Sequence, residues 1–447
     1  MNKKANRQNR ILPLFTLHLF AVFMLMASDP IPAPKQKKPL ALTGGTIYTV
    51  SGPVIPNGTV VFDKGIITAV GTNVTIPADA ERIDISGKSV YPGLIDSYST
   101  MGLKEIGSVR GTLDHSEAGD MNSNARAEVA VHPESKLIPV ARSGGITITG
   151  TTPVGGLIAG TSAAILMDGW TWEEMTLKAP LGLTVNWPTM IYTASPFSRQ
   201  TKEEWMKDRD ARLKALNDAF AAARAYVIAK RAEQSKGIPR HDTDLRWEAL
   251  IPVLERKIPV WVNANELTQI QAAITWAEKE NVRLIIVGGR DAWRITNQLK
   301  AKNIPVIVTD VLSSPSRRWE EYDLVYSLPG KLKEAGILFC ISGDTDPSNA
   351  RNLNHHAATA AAFGLSKEDA LKAVTLDAAR VLGIDSLVGS IEPGKQATVL
   401  VVSGDILELS STVEQVYIQG KTVDMRNMHK RLYDKYTEKY RQLKETE

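Results

Sequence analysis

The sequence predicts an α/β protein: an eight-fold β/α barrel of TIM type, a (β/α)8 barrel, with a small β-sandwich domain built from both chain ends. Three observations carry this. Between Ile258 and Phe363, apolar strand-like runs alternate with helical stretches. Short runs rich in β-branched residues, punctuated by Gly, Pro and Asn, occur before Tyr91 and again after Ala397. The 447 residues suit one large barrel plus an accessory unit.

The elements follow in chain order. Lys3, Lys4, Arg7 and Arg10 precede an apolar run, Ile11 to Met26, and then small residues at Ala27 and Ser28. This is a signal-peptide pattern over residues 1–28. The run is short of the roughly 20 residues of a stable span, so an N-terminal membrane anchor is the alternative to an exported, periplasmic protein. Residues 29–40 (DPIPAPKQKKPL) read as an extended linker. Residues 41–91 read as the first part of the β-sandwich, with a hairpin turn at Asp63-Lys64-Gly65.

Residues 92–388 are assigned to the barrel. Val90–Ile95 and Gly145–Thr149 are its early strands, and Ile258–Asn263, Arg283–Val287, Ile304–Thr309 and Ile337–Ser342 its later ones. Fully apolar strands alternating with helices imply a parallel sheet covered on both faces. No Gly-rich dinucleotide loop follows a strand, which disfavours an open doubly wound sheet. Residues 389–424 complete the β-sandwich, with a turn at Gly420-Lys421. The tail, residues 425–447, reads as a helix with Leu432, Tyr436, Tyr440 and Leu443 on one stripe, expected to pack on the body.

Composition excludes several functions. A net charge of +4, spread along the chain, with no basic stripe interleaved with aromatics, argues against a nucleic-acid partner. A lone cysteine, Cys340, rules out intramolecular disulfides and cysteine-built clusters.

"YPGLID" (Tyr91–Asp96) and "VGSIEPGKQATVLVV" (Val388–Val402), flanking a β/α middle, resemble the amidohydrolase superfamily, and within it the imidazolonepropionase-like group. The second motif matches at Gly389, Ile391, Pro393, Gly394, Lys395 and Ala397, with Thr398 where the family has Asp. "TLDAARVLGI" (Thr375–Ile384) resembles the family's last barrel helix. The resemblance covers about residues 41 to 424. It implies hydrolysis of C–N bonds other than linear peptide bonds, a divalent metal such as zinc at the C-terminal face of the barrel, and an aspartate base.

The positions that the resemblance assigns to metal ligands carry other residues. The first-strand His-x-His falls on Tyr98 and Thr100. The fifth-strand histidine falls on Asn263, or else on Asn265, and the sixth-strand histidine on Gly288. The eighth-strand aspartate is Asp344, the one candidate catalytic residue, with Asp96 and Asp346 nearby. An amide oxygen is a poor substitute for imidazole on zinc. No histidine follows an apolar strand: His18 lies in the leader, His241 in a loop, and His115, His132, His355, His356 and His429 read as surface or capping residues. Arg290, Arg317 and Arg318 read as solvated loop charge.

The sequence therefore points to an exported superfamily protein with a degenerate metal site, catalytically impaired, that binds a small-molecule ligand or acts as a partner subunit. Its partners would be a second copy of itself or a histidine-complete paralogue. The alternative is an active amidohydrolase with an oxygen-rich site centred on Asp344, holding weak magnesium or calcium.

Overall fold

The computed structural model describes residues 31–194, 200–233, 240 and 242–446. The leader expected at 1–28, with His18, and His241 lie outside the described residues.

Among the described residues sixteen strands form two sheets. The first takes β1 (Leu40–Ile47), β2 (Ile55–Asp63), β3 (Ile66–Gly71), β4 (Glu81–Asp84) and β5 (Ser89–Pro92) from the start of the chain, and β14 (Val399–Val402), β15 (Val413–Ile418) and β16 (Lys421–Thr422) from its end. Its order is β16-β15-β14-β5-β1-β2-β3, with β4 on β1. The two chain ends meet where β5 pairs antiparallel with β14, Tyr91 opposite Leu400. A separate core of side chains from both ends, including Leu42, Phe62, Ile67, Val399 and Tyr417, fills it. One continuous sheet therefore stands where a two-sheet sandwich was expected. The β2–β3 hairpin turns at Lys64 and Gly65, both with positive φ. The C-terminal hairpin turns at Gln419-Gly420, one residue earlier than the sequence suggested, because these two carry the positive φ that a tight hairpin needs.

The second sheet runs β13-β12-β11-β10-β9-β8-β7-β6. Its strands are β6 (Leu94–Ser99), β7 (Ile146–Thr151), β8 (Ile158–Leu166), β9 (Thr176–Asn186), β10 (Val260–Ala264), β11 (Leu284–Gly288), β12 (Val306–Val308) and β13 (Phe339–Ile341). The apolar runs are buried along almost their whole length, as strands covered on both faces must be. Helices Leu267–Lys279 and Leu324–Glu334 return the chain between parallel strands. One feature departs from a regular (β/α)8 barrel. β8 is antiparallel to both β7 and β9, because residues 152–157 between β7 and β8 are too few for a helical crossover.

The expected first strand, Val90–Ile95, is two strands in different sheets. They hinge at Gly93, where an added Cβ would lie 2.1 Å from Thr147 Oγ1. Only a glycine lets the chain pass this close while it changes sheet.

β13 and β6 are the two ends of the barrel order, and the gap between them is bridged largely by side chains. Ser342 Oγ donates to Asp96 Oδ1 (2.5 Å) and accepts from Tyr98 N (3.0 Å). Gly343 N donates to the same Asp96 oxygen (3.0 Å), and Thr100 N donates to Thr345 O (3.0 Å).

The C-terminal helix, Met428–Thr446, does not pack its stripe on the body. Each of its described side chains is exposed, including Leu432, Tyr436, Tyr440 and Leu443. Asn427 fixes its start: its Oδ1 accepts from His429 N and Lys430 N, and its Nδ2 donates to Ser143 Oγ.

Candidate functional site

The candidate residues lie at the C-terminal ends of four barrel strands. Tyr98 and Thr100 close β6, Asn263 is in β10, Gly288 ends β11, and Asp344 follows β13. In-register pairing of β10 with its neighbours sets Asn263 beside Asn186 of β9 and Val287 of β11.

Tyr98 is 3% exposed and packs against Trp261, the rings 6.3 Å apart. Its hydroxyl accepts a hydrogen bond from Asn263 Nδ2 (2.8 Å), and the same amide donates to Asn186 Oδ1 (2.6 Å). Asn186 Nδ2 in turn donates to the carbonyls of Val154 (2.9 Å) and Gly156 (2.8 Å). Burial pushes the Tyr98 phenol up to about 12, so it stays neutral. This is a continuous chain of neutral donors and acceptors. Asn186 was not singled out from sequence; its position, last in a strand ending LTVN, is the signal that could have found it.

Thr100 is also buried, and its Oγ1 donates to Thr345 O (3.0 Å). Gly288 has φ +89, and an added Cβ would come within 2.4 Å of Asn265 Oδ1. Asn265 itself is exposed and accepts from Arg290 N. Asp346 is occupied structurally: Oδ2 pairs with Lys104 (2.5 Å), and Oδ1 caps the turn at Ser348.

Asp96 is fully buried. Oδ1 holds the barrel seam, whereas Oδ2 has no partner among the described residues. Burial raises its carboxyl to about 6, against the hydrogen bonds from Ser342 and Gly343. Asp344 is half-buried, with Oδ1 accepting from Asp346 N and Oδ2 from Asn349 Nδ2. Two further groups face Asp344. Asp310, just past β12, is raised by burial and then by the Asp344 charge. His356, in the helix Leu353–Ala362, is buried rather than a surface residue; burial pulls it down to about 4, against the attraction of Asp344.

Arg317 and Arg290 are not solvated loop charge either. Arg317 forks onto Asp291 (2.6 and 2.8 Å) and also pairs with Glu320, while Arg290 reaches Glu320 and Ser313. These contacts brace the loops after β11 and β12.

The donor set does not fit a zinc ion. A buried phenol, a hydroxyl, an amide and a glycine stand where neutral imidazoles would be needed, and the phenol and amide are already bonded to each other. Among the described residues no group of three or more His, Cys, Asp or Glu side chains is placed to hold a metal.

Known proteins resemble this chain in fold and, more distantly, in sequence. The Amidohydrolase family model matches residues 326–423. A solved amidohydrolase from Thermotoga maritima superposes with a TM-score of 0.78 at 29% identity, covering 87% of this chain and all of the other. An imidazolonepropionase from Treponema denticola is 21% identical over 416 residues, which are 82% of this chain and 92% of that protein. Amidohydrolase tasK of Hapsidospora irregularis is 21% identical over 89% of this chain, which spans 42% of that protein's length. With the barrel, its strand-end positions and these relatives together, the chain is similar in fold and sequence to the amidohydrolase superfamily.

Proposed function

We propose that this chain is an exported superfamily member that does not hydrolyse through a metal and instead works by binding, with the polar strand ends as a recognition site for a small, amide-bearing molecule. The observation that carries the reading is the Tyr98–Asn263–Asn186 chain. It spends on internal hydrogen bonds the positions from which ligands would converge on a metal. The Oδ1 of half-buried Asn263, half-buried Asp310 and the exposed Asn265 offer amide and carboxyl groups of the kind that recognise a polar amide. A barrel needs its packed core whether or not it catalyses, so the fold outlives the chemistry. A histidine-complete paralogue is the partner that would restore catalysis to such a subunit.

Elemental analysis of the purified chain, with binding and turnover assays on amides, lactams and dipeptides, tests this. The expected result is no stoichiometric zinc, and ligand binding without turnover. One tightly bound zinc per chain sinks the proposal.

A second reading is favoured by the closeness of Asp344 to Asp96 and Asp310: a working hydrolase with Asp344 as base in an oxygen-rich site. Turnover that disappears in Asp344→Asn, with unchanged thermal unfolding, would establish it.

A further inference from the structure

The C-terminal helix leaves an aromatic face uncovered, and its charge pattern says what covers it. At about 100° per residue, Met428, Leu432, Tyr433, Tyr436, Tyr440 and Leu443 fall within an arc of roughly 140° on the Met428–Thr446 helix. Tyr433 is 73% exposed and Tyr440 61%. That arc is too broad for a coiled-coil seam, which takes a narrow stripe of two positions per heptad.

The charges are sorted around it. On the same projection Lys444 and Lys430 lie past one edge of the arc, Lys435 and Arg431 past the other, and Lys439 just inside that second edge, whereas Arg441 sits with the acids and pairs with Glu438 and Glu445. Asp434, Glu438 and Glu445 lie together on the back, opposite the centre of the arc. Lys439 already leans inward, its ammonium 5.9 Å from the centre of the Tyr436 ring. Cations at the borders and carboxylates at the back suit a flat anionic surface. The aromatic rings enter it, the long cationic side chains reach its headgroups, and the acids face water.

The root of the helix gathers more of the same chemistry. Arg142, buried, donates to Asp168 Oδ1 (3.0 Å) and to Asp424 O (2.9 Å), and Asp168 Oδ2 accepts from Ala33 N (3.1 Å). This cluster places exposed Ile31, two residues before Ala33, and Trp170, 62% exposed and two residues after Asp168, near the base of the helix. Lys35, Lys37 and Lys38 are exposed on the same segment. Trp and Tyr are the side chains that favour the headgroup layer.

We propose that this end of the molecule lies on an anionic phospholipid bilayer, with the C-terminal helix in the plane of the interface. It would lie on the membrane rather than span it: among the described residues no helix is long and apolar enough to cross one.

The test is flotation of the full chain with phosphatidylglycerol–phosphatidylcholine vesicles and with phosphatidylcholine vesicles alone. The wild type should float with the anionic vesicles and bind the neutral ones about tenfold or more weakly. Combining Leu432→Ser, Tyr436→Ser and Tyr440→Ser should weaken binding on the order of a hundredfold. The changed side chains are exposed, so the thermal unfolding midpoint should stay put. Lys430→Glu with Lys444→Glu should abolish the anionic preference, whereas Glu438→Gln, on the back, should not weaken binding. Anionic binding that survives the triple variant overturns the proposal, as does no binding at all. So does a soluble dimer that the triple variant turns to monomer, which would make the occupant a protein.

Discussion

Replacing Asp96 with asparagine isolates the electrostatics of the barrel seam. The Asp96 carboxyl is buried without a counter-charge, and its proton affinity rises from the ordinary 3.8 to about 6. At about 1.4 kcal/mol per tenfold in affinity, that difference corresponds to about 3 kcal/mol. The folded protein holds this proton more tightly than the unfolded chain does. Between the two values the native state therefore binds more protons, and stability falls as pH rises. The benefit is complete below about 3.8 and gone above about 6. Asp96→Asn keeps an oxygen for Ser342 Oγ and Gly343 N but does not titrate. Its amide nitrogen takes the place of the unpartnered Oδ2, at a cost that does not change with pH. The quantity to measure is the wild-type minus variant unfolding free energy, from urea titrations at a series of pH values. It should drop by about 2 kcal/mol from pH 4 to pH 7. A flat difference would refute the argument. A difference that grows with pH would refute it more strongly, because the ionised carboxylate would then have a charged partner inside the barrel.

Gly93→Ala should destabilise the fold by about 3 kcal/mol or more, since the new Cβ meets the buried Thr147 side chain at 2.1 Å; a compensating Thr147→Gly should recover most of the loss in urea unfolding. Combining Tyr98→His, Thr100→His and Asn263→His should raise zinc affinity in calorimetric titration, whereas adding Gly288→His should cost about 1–3 kcal/mol through its positive φ and the clash with Asn265. An unchanged zinc affinity would mean that these strand ends do not converge.

Much of the barrel was legible because buried parallel strands are written as unbroken apolar runs. Trp261, Ile286 and Ile307 fall where those runs put them, and helices such as Leu267–Lys279 occupy the stretches between. The direction of β8 was not legible, since periodicity reports burial and not polarity of the chain; the short link before it was the available cue. The split at Gly93 was hidden because the apolar character of SVYPGLID continues through the turn. The seam was hidden for another reason: Asp96 and Ser342 are 246 residues apart, and no local pattern couples them. At the site, the motif positions located Tyr98, Asn263 and Gly288. They did not reveal that Asn186 completes the chain of hydrogen bonds, or that His356 turns inward. In the tail, spacing defined a stripe but carried no information on what covers it.

Side-chain hydrogen bonds tie the strand ends together, and this bears on what the barrel can do. In a metal-centred barrel, side chains from several strands are tied to one another through the ion. Here Asp96, Ser342 and Thr345 join the first strand to the last, and Tyr98, Asn263 and Asn186 join the first strand to the middle of the sheet. Each of these bonds uses a neutral group or the Asp96 carboxyl, whose proton affinity burial raises. Among the described residues, side-chain hydrogen bonds of this kind join the first strand to the last and to the middle of the sheet. Gly288 fits the same arrangement: its left-handed backbone brings Asn265 Oδ1 into the space that a side chain would fill. A histidine returned at one position would meet partners arranged for a different residue. On the proposed reading, regaining catalysis would require the strand ends to change together, because the hydrogen-bond network makes single changes costly.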